Sequence, residues 1–182
     1  MSAVAPAFGV APLGAALLDD PVAFLSAEHA RQFALLSHLE RLARAPGARG
    51  ARMMAQALLR WLETELPLHI ADEERSLHPR LRPHDATAAL RRLSAEHERD
   101  ARLVAPVVAG LRQLAAGALA GGGFAGATGT FARLHRQHLA FEEAVVRPLA
   151  RAVLTPEAAR ELAAEMAARR GLTKDGTCPT AR

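Results

Sequence analysis

The sequence is short of the residues that most often cross-link a small protein. Across 182 residues it has one cysteine, Cys178, one tryptophan, Trp61, and no tyrosine. A single thiol can neither close an internal disulfide nor supply the thiolates of a structural zinc cage. The chain must therefore hold its shape by packing, and a reducing, cytoplasmic setting is expected. Without tyrosine there is no side chain on which a tyrosyl radical could be stored. Lysine is nearly absent as well: Lys174 is the exception among 23 basic residues, and the net charge is only +4. A pI near 10.7 thus reflects arginine chemistry rather than a dense basic surface. Pairs such as Arg91-Arg92 and Arg169-Arg170 have no interleaved aromatics and read as solvated helix surface, which argues against a nucleic-acid partner. Long apolar spans are missing too. The uncharged first eighteen residues contain Pro6 and Pro12 and run into Asp19-Asp20, and the uncharged window 113–132 holds six glycines. Neither reads as a signal peptide or a membrane span.

Half the residues are apolar, mostly Ala, Leu and Val, and no stretch alternates with period two, so helices are expected throughout. Asp20-Pro21 has the form of a capped helix start, and a first helix should run to about Arg44. A second, from about Ala51, carries the i, i+4 stripe Met54, Leu58, Leu62, Leu66, Ile70; Pro67 should kink it and Pro79 end it. A third should extend from 85–87 to about Ala116 with a kink at Pro106, followed by a flexible Gly-rich connection over 117–129. A fourth should cover 130–149, and a fifth should start at Thr155-Pro156-Glu157 and end at Gly171. This divides the chain into a disordered tail (1–19), a helical domain (20–151), and an extra helix with a flexible tail (152–182).

The most informative feature is an internal repeat. Ser26-Ala27-Glu28-His29-x-Arg31 recurs as Ser94-Ala95-Glu96-His97-x-Arg99, an offset of 68, and His69-x-x-x-Glu73-Glu74-x4-Pro79 recurs as His138-x-x-x-Glu142-Glu143-x4-Pro148, an offset of 69. Compositional bias can copy an apolar stripe, but not His, paired Glu and Pro in order and in register. The chain reads as two helical hairpins in tandem, each presenting one His from its first helix and a His-x-x-x-Glu pair from its second.

Residues four apart share a helix face, so His69 with Glu73, and His138 with Glu142, can chelate a common centre. Four antiparallel helices with His29 and His97 also turned inward would gather four imidazoles and two carboxylates in the core, a cluster too polar to bury empty. Nitrogen and oxygen donors without thiolate suit iron, manganese or zinc. Six ligands related by a pseudo-twofold repeat suit two ions, each taking two His, with Glu73 and Glu142 bridging both. One solvent-derived oxygen bridge would leave each ion five-coordinate and open to a small ligand. Glu28 and Glu96 are expected to be solvated, or to orient a neighbouring ligand by hydrogen bonding. Glu74 and Glu143, rotated off the inward face, are expected at the surface or paired with Arg. His135 shares the inward stripe but has Leu66 as its repeat counterpart, so core packing and a ligand or pocket role both stand open. His38, His78 and His84 are expected at the surface, and Cys178 is read as a free thiol in the tail. The fifth helix is expected to serve packing or dimerisation.

In the order His29, His69-x-x-x-Glu73-Glu74, Glu96-His97, His138-x-x-x-Glu142-Glu143, with Pro closing the second and fourth helices, the chain resembles the hemerythrin-like HHE cation-binding domain family over about 20–149. The resemblance implies an all-α, up-down-up-down four-helix bundle around a non-haem di-iron centre, oxo- or hydroxo-bridged, with iron ahead of Mn or Zn. Carried over, the metal ligands would be His29, His69, Glu73, His97, His138 and Glu142. Oxygen-carrying hemerythrins typically have a further His where Ala101 stands and an Asp where Glu143 stands, so this pattern is closer to the four-His, two-Glu branch. That branch includes iron-sulfur cluster repair proteins and proteins that sense or handle O2, NO or iron. The repair group usually adds N-terminal cysteines, which this sequence lacks. The expected function is binding or sensing of O2, NO or peroxide in stress or iron handling, without a membrane partner. The alternatives are an iron donor for cluster repair, a di-iron oxidase or peroxidase acting on a small substrate, and a structural zinc bundle.

Overall fold

In the computed structural model, which describes residues 11–172, five helices are preceded by a 3-10 turn, Ala15–Asp19. Helix α1 is Pro21–Arg44, α2 spans 51–81, α3 is Thr87–Ala115, α4 spans 124–153 and α5 is Pro156–Arg169. The capping residues read from sequence are in place: Ala23 N–H donates to Asp20 Oδ1 (2.9 Å), and Ala158 N–H donates to Thr155 Oγ1 (3.2 Å). Each of α1 to α4 packs against its two neighbours, α1 on α2, α2 on α3, α3 on α4 and α4 back on α1, which makes an antiparallel bundle. Helix α5 lies outside, against the 3-10 turn, α1 and the middle of α2. Residues 15–19, expected within the disordered tail, are thereby drawn into the structure, with Leu18 buried alongside Leu162 and Met166. Cys178 and the final tail lie outside the described residues.

Two of the expected helix boundaries are overturned, one for a local backbone reason and one through packing. Helix α2 does not end before Pro79 but continues to Leu81. Proline removes an N–H and crowds the carbonyl four residues back. Here the preceding stretch, Glu73–Leu77, widens into a π turn in which His78 N–H reaches Glu73 O, five residues back. The same device precedes Pro67, where Leu66 N–H bonds Trp61 O, and Pro148, where Arg147 N–H bonds Glu142 O. The helix absorbs each proline in a wider turn instead of breaking. Secondly, α4 begins at Phe124, so Gly126 and Gly129 are helical and the connection is shorter than the expected 117–129. Phe124 is buried over Gly110 of α3, where a Cβ would stand 2.3 Å from the ring. That close approach anchors the start of the helix.

The bundle interior is layered. One apolar cluster contains Leu35, Leu36, Leu39, Leu58, Trp61, Leu111 and Phe131; a second contains Leu25, Leu77, Leu81, Leu93, Val146 and Ala150. Each of α1 to α4 crosses from one cluster to the other, and where it crosses it carries buried polar residues: His29 and Gln32, His69 and Glu73, His97 and Asp100, His135, His138 and Glu142. Helix α5 is fastened to this polar layer from outside. Arg169 Nε donates to Asp72 Oδ1 (2.6 Å) and Arg169 Nη2 to Ser76 Oγ, while Arg170 pairs with Asp72 Oδ2 (2.6 Å) and Glu28 Oε1 (3.3 Å). The pair Arg169-Arg170, expected as solvated surface, therefore faces inward: Asp72 is fully buried and needs the cations.

Replacing Asp72 with Ala should lower stability by about 1–3 kcal/mol, since both arginines can relax into water. It should also deprotect α5 amides in hydrogen exchange while the bundle amides stay protected. Equal loss of protection across the bundle would show that α5 is not a separately fastened element.

Candidate metal centre

The structure brings the six residues read as ligands together at the middle of the bundle. His29, His69, Glu73 and Glu142 form one group of candidate ligand atoms, and Glu73, His97, His138 and Glu142 form a second; within each group the atoms all lie within 4.8 Å of one another. All six residues are buried. His29 Nε2 and His69 Nε2 are 3.1 Å apart, as are His97 Nε2 and His138 Nε2. Glu73 stands between the pairs: Oε1 is 3.5 Å from His29 Nε2 and 3.4 Å from His69 Nε2, whereas Oε2 is 3.5 Å from His97 Nε2. Glu142 Oε2 likewise lies 3.2 Å from His29 Nε2 and 3.3 Å from His138 Nε2. Glu73 Oε2 and both oxygens of Glu142 accept no hydrogen bond among the described residues. Buried carboxylate oxygens without a donor fit a cation site.

The orientation of the imidazoles comes from a second ring of residues. Each Nδ1 donates to a glutamate of a neighbouring helix: His69 of α2 to Glu28 of α1 (2.9 Å), His97 of α3 to Glu74 of α2 (2.9 Å), His138 of α4 to Glu96 of α3 (3.0 Å), and His29 of α1 to Glu143 of α4 (2.7 Å). A carboxylate acceptor fixes the proton on Nδ1 and leaves Nε2 to face the centre. For Glu28 and Glu96 this is the orienting role weighed from sequence. Glu74 and Glu143 keep side chains more than a third exposed, and Glu143 Oε1 is 3.6 Å from Arg147 Nε, in line with the expected surface or Arg-paired place; what was not expected is that each also holds an imidazole. The π turns at Glu73–Leu77 and Glu142–Val146 supply the reason: more residues per turn narrow the angle between consecutive side chains. The first glutamate can then face inward while the second reaches the adjacent helix.

The electrostatics match. Burial opposes protonation of His29, but the carboxylates of Glu142, Glu143 and Glu73 outweigh it and hold its pKa up at about 10. His97, opposed by burial in the same way, is held at about 9 by Glu73 and Glu74. Six carboxylates converge on four imidazoles; Arg147, fully buried, hydrogen-bonds Glu73 through Nη2, while Arg170 and Arg92 meet Glu28 and Glu96 farther out. A field that retains protons this firmly attracts metal cations by the same physics, and metal uptake displaces the protons.

The sequence profile of the Hemerythrin HHE cation binding domain matches residues 20–150. The chain belongs to that family. No curated protein and no solved structure gives a significant match. Within the family frame, the remaining histidines sort by their contacts. His135 stays out of both ligand groups: Nδ1 donates to Asp100 (2.8 Å), Nε2 meets Gln32 Oε1 (2.8 Å), and the ring stacks between Phe131 and His138. Gln32 and Asp100 went unnoticed in the sequence although they occupy one repeat position, three residues after His29 and His97. His84 is exposed as expected, and His38 is half-buried beside Arg41. His78 departs from its expected surface place: it is buried and stacks in parallel on His97 at 6.3 Å. Proline at the next position does not end the helix, so His78 remains on the inward face. Among the described residues no helix is long and apolar enough to cross a membrane.

Glu143→Ala should keep a bound cation but weaken its retention against a chelator by about 10–100-fold, the usual effect of removing the group that orients a ligating imidazole. Glu73→Ala should abolish retention. Equal effects of the two substitutions would show that Glu143 is itself a ligand.

Proposed function

We propose that the chain is a non-haem di-iron protein of four-His, two-Glu type that binds or senses a small ligand, O2, NO or peroxide, in stress or iron handling. His29 and His69 would hold one ion, His97 and His138 the other, and Glu73 and Glu142 would be shared. The observation that carries this reading is the divided aim of Glu73, whose two oxygens face different imidazole pairs at 3.4 and 3.5 Å. A carboxylate set this way serves two cations better than one. Iron ions at such a site supply reversible redox chemistry and open coordination positions for a small ligand.

The rest of the reading concerns the protein. Four imidazoles are held by outer carboxylates on four helices, so the donor set is fixed before any ligand arrives. Apolar layers flank the centre on both sides, so a ligand would meet mostly hydrocarbon above and below the polar layer. This favours a diatomic or peroxide ligand over an organic substrate. The reading puts the protein in the reducing cytoplasm, in keeping with a chain that has one cysteine. A second copy of the chain, docked through α5, remains part of the proposal. Its test is the solution mass.

Protein purified after expression with iron should contain close to two irons per chain, in line with two ligand groups, and its optical spectrum should change on addition of O2 or NO. One zinc per chain, or an iron spectrum indifferent to both gases, would overturn the reading.

A further inference from the structure

Carrying the repeat beyond the paired glutamates sets His78 opposite Arg147, at the same offset of 69 that relates His69 to His138. Both residues are buried, 3% and 2% exposed, and the segments that begin with them, His78–Leu81 and Arg147–Val153, pack against each other. Both lie in the field of Glu73 and Glu142. Arg147 Nη2 bonds Glu73 and is 3.0 Å from His29 Nε2, and His78 stacks on His97. Thus one member flanks each imidazole pair.

Three nitrogens of these two side chains, His78 Nε2 and Arg147 Nε and Nη1, have no hydrogen-bond partner among the described residues. Glu143 Oε1 approaches Arg147 Nε only to 3.6 Å. Cations at the centre account for the unpartnered oxygens of Glu73 and Glu142, but not for the nitrogens of Arg147, because a guanidinium is permanently charged and ligates no metal, and His78 belongs to neither group of candidate ligand atoms. Buried donors require an acceptor, and one that satisfies a guanidinium best carries negative charge. A groove of about 670 Å3, lined in part by Glu74, His78, Arg82 and Arg91, reaches His78 from the surface.

We propose that His78 and Arg147 form a binding site for a small inorganic anion beside the metal centre, the anion accepting hydrogen bonds from His78 Nε2 and from Arg147 Nε and Nη1. The site rests on the di-iron reading and narrows it: among small ligands, an anion such as deprotonated peroxide is preferred to neutral O2 or NO. With cations at the centre, Glu73 and Glu142 are neutralised and no longer repel the anion. His78 adds a donor from the groove side, and Arg147 adds charge from the enclosed side.

Azide is the probe, titrated into iron-loaded protein and followed by its charge-transfer absorption, with nitric oxide as the neutral comparison. His78→Leu and Arg147→Met should each weaken azide by about tenfold or more, the effect of losing a buried or charge-assisted hydrogen bond, while iron content and nitric oxide affinity hold. Arg147→Lys, which keeps the charge facing Glu73 but loses the planar set of donors, should fall between. It is the variant to read if Arg147→Met fails to retain iron. Unchanged azide affinity in iron-loaded His78→Leu and Arg147→Lys would overturn this proposal alone. So would an equal loss of azide and nitric oxide, since that pattern marks control of access. Wild-type protein that holds no iron and shows no azide-induced rise in melting temperature would overturn both this site and the di-iron reading.

Discussion

Four hydrogen bonds from imidazole Nδ1 to glutamate close a ring around the bundle, one across each pair of neighbouring helices. Each bond does two things at once. It holds Nδ1 at the outer carboxylate, so that Nε2 faces the axis, and it joins two helices through a partly buried charge. The polar layer is therefore not a defect in the core. It sets the register of the four helices at the level where they exchange one apolar cluster for the other. Sliding any helix by a turn would separate a histidine from its glutamate on one neighbour and a glutamate from its histidine on the other.

The cost of that layer is a concentration of negative charge in a region of low dielectric, and the protein answers it from several directions. His29 and His97 rise in pKa, Arg147 is buried against Glu73, and Arg169 and Arg170 come from outside the bundle to Asp72 and Glu28. The last of these makes α5 part of the centre's support. Arg170 meets Glu28, and Glu28 holds His69, so a helix that carries no inward-facing histidine still touches the chain of contacts that aims one. Metal cations would complete the same neutralisation at its focus.

Proline positions show how backbone chemistry feeds this arrangement. Each of the three π turns ends two residues before a proline, at Pro67, Pro79 and Pro148. Two of them coincide with the glutamate pairs. The missing N–H of proline thus does not merely threaten the helix; its accommodation changes the angular spacing at the residues where inner and outer carboxylates must point differently.

Much of this was legible in the chain. Helix starts at Pro21 and Pro156, the tandem repeat, the convergence of His29, His69, Glu73, His97, His138 and Glu142, and the family follow from capping chemistry, from i, i+4 geometry and from a coincidence of offsets that composition does not produce. These are local or periodic signals, and a sequence carries them directly. What only the tertiary structure decided depends on distances between helices. Glu74 and Glu143 join the imidazole ring, His135 is satisfied by Gln32 and Asp100, and His78 and Arg147 become buried counterparts. Arg169 and Arg170 turn inward because Asp72 is sealed beneath α5. No spacing rule reports these, because each is settled by which charged group on another helix lies close enough to offset the loss of water.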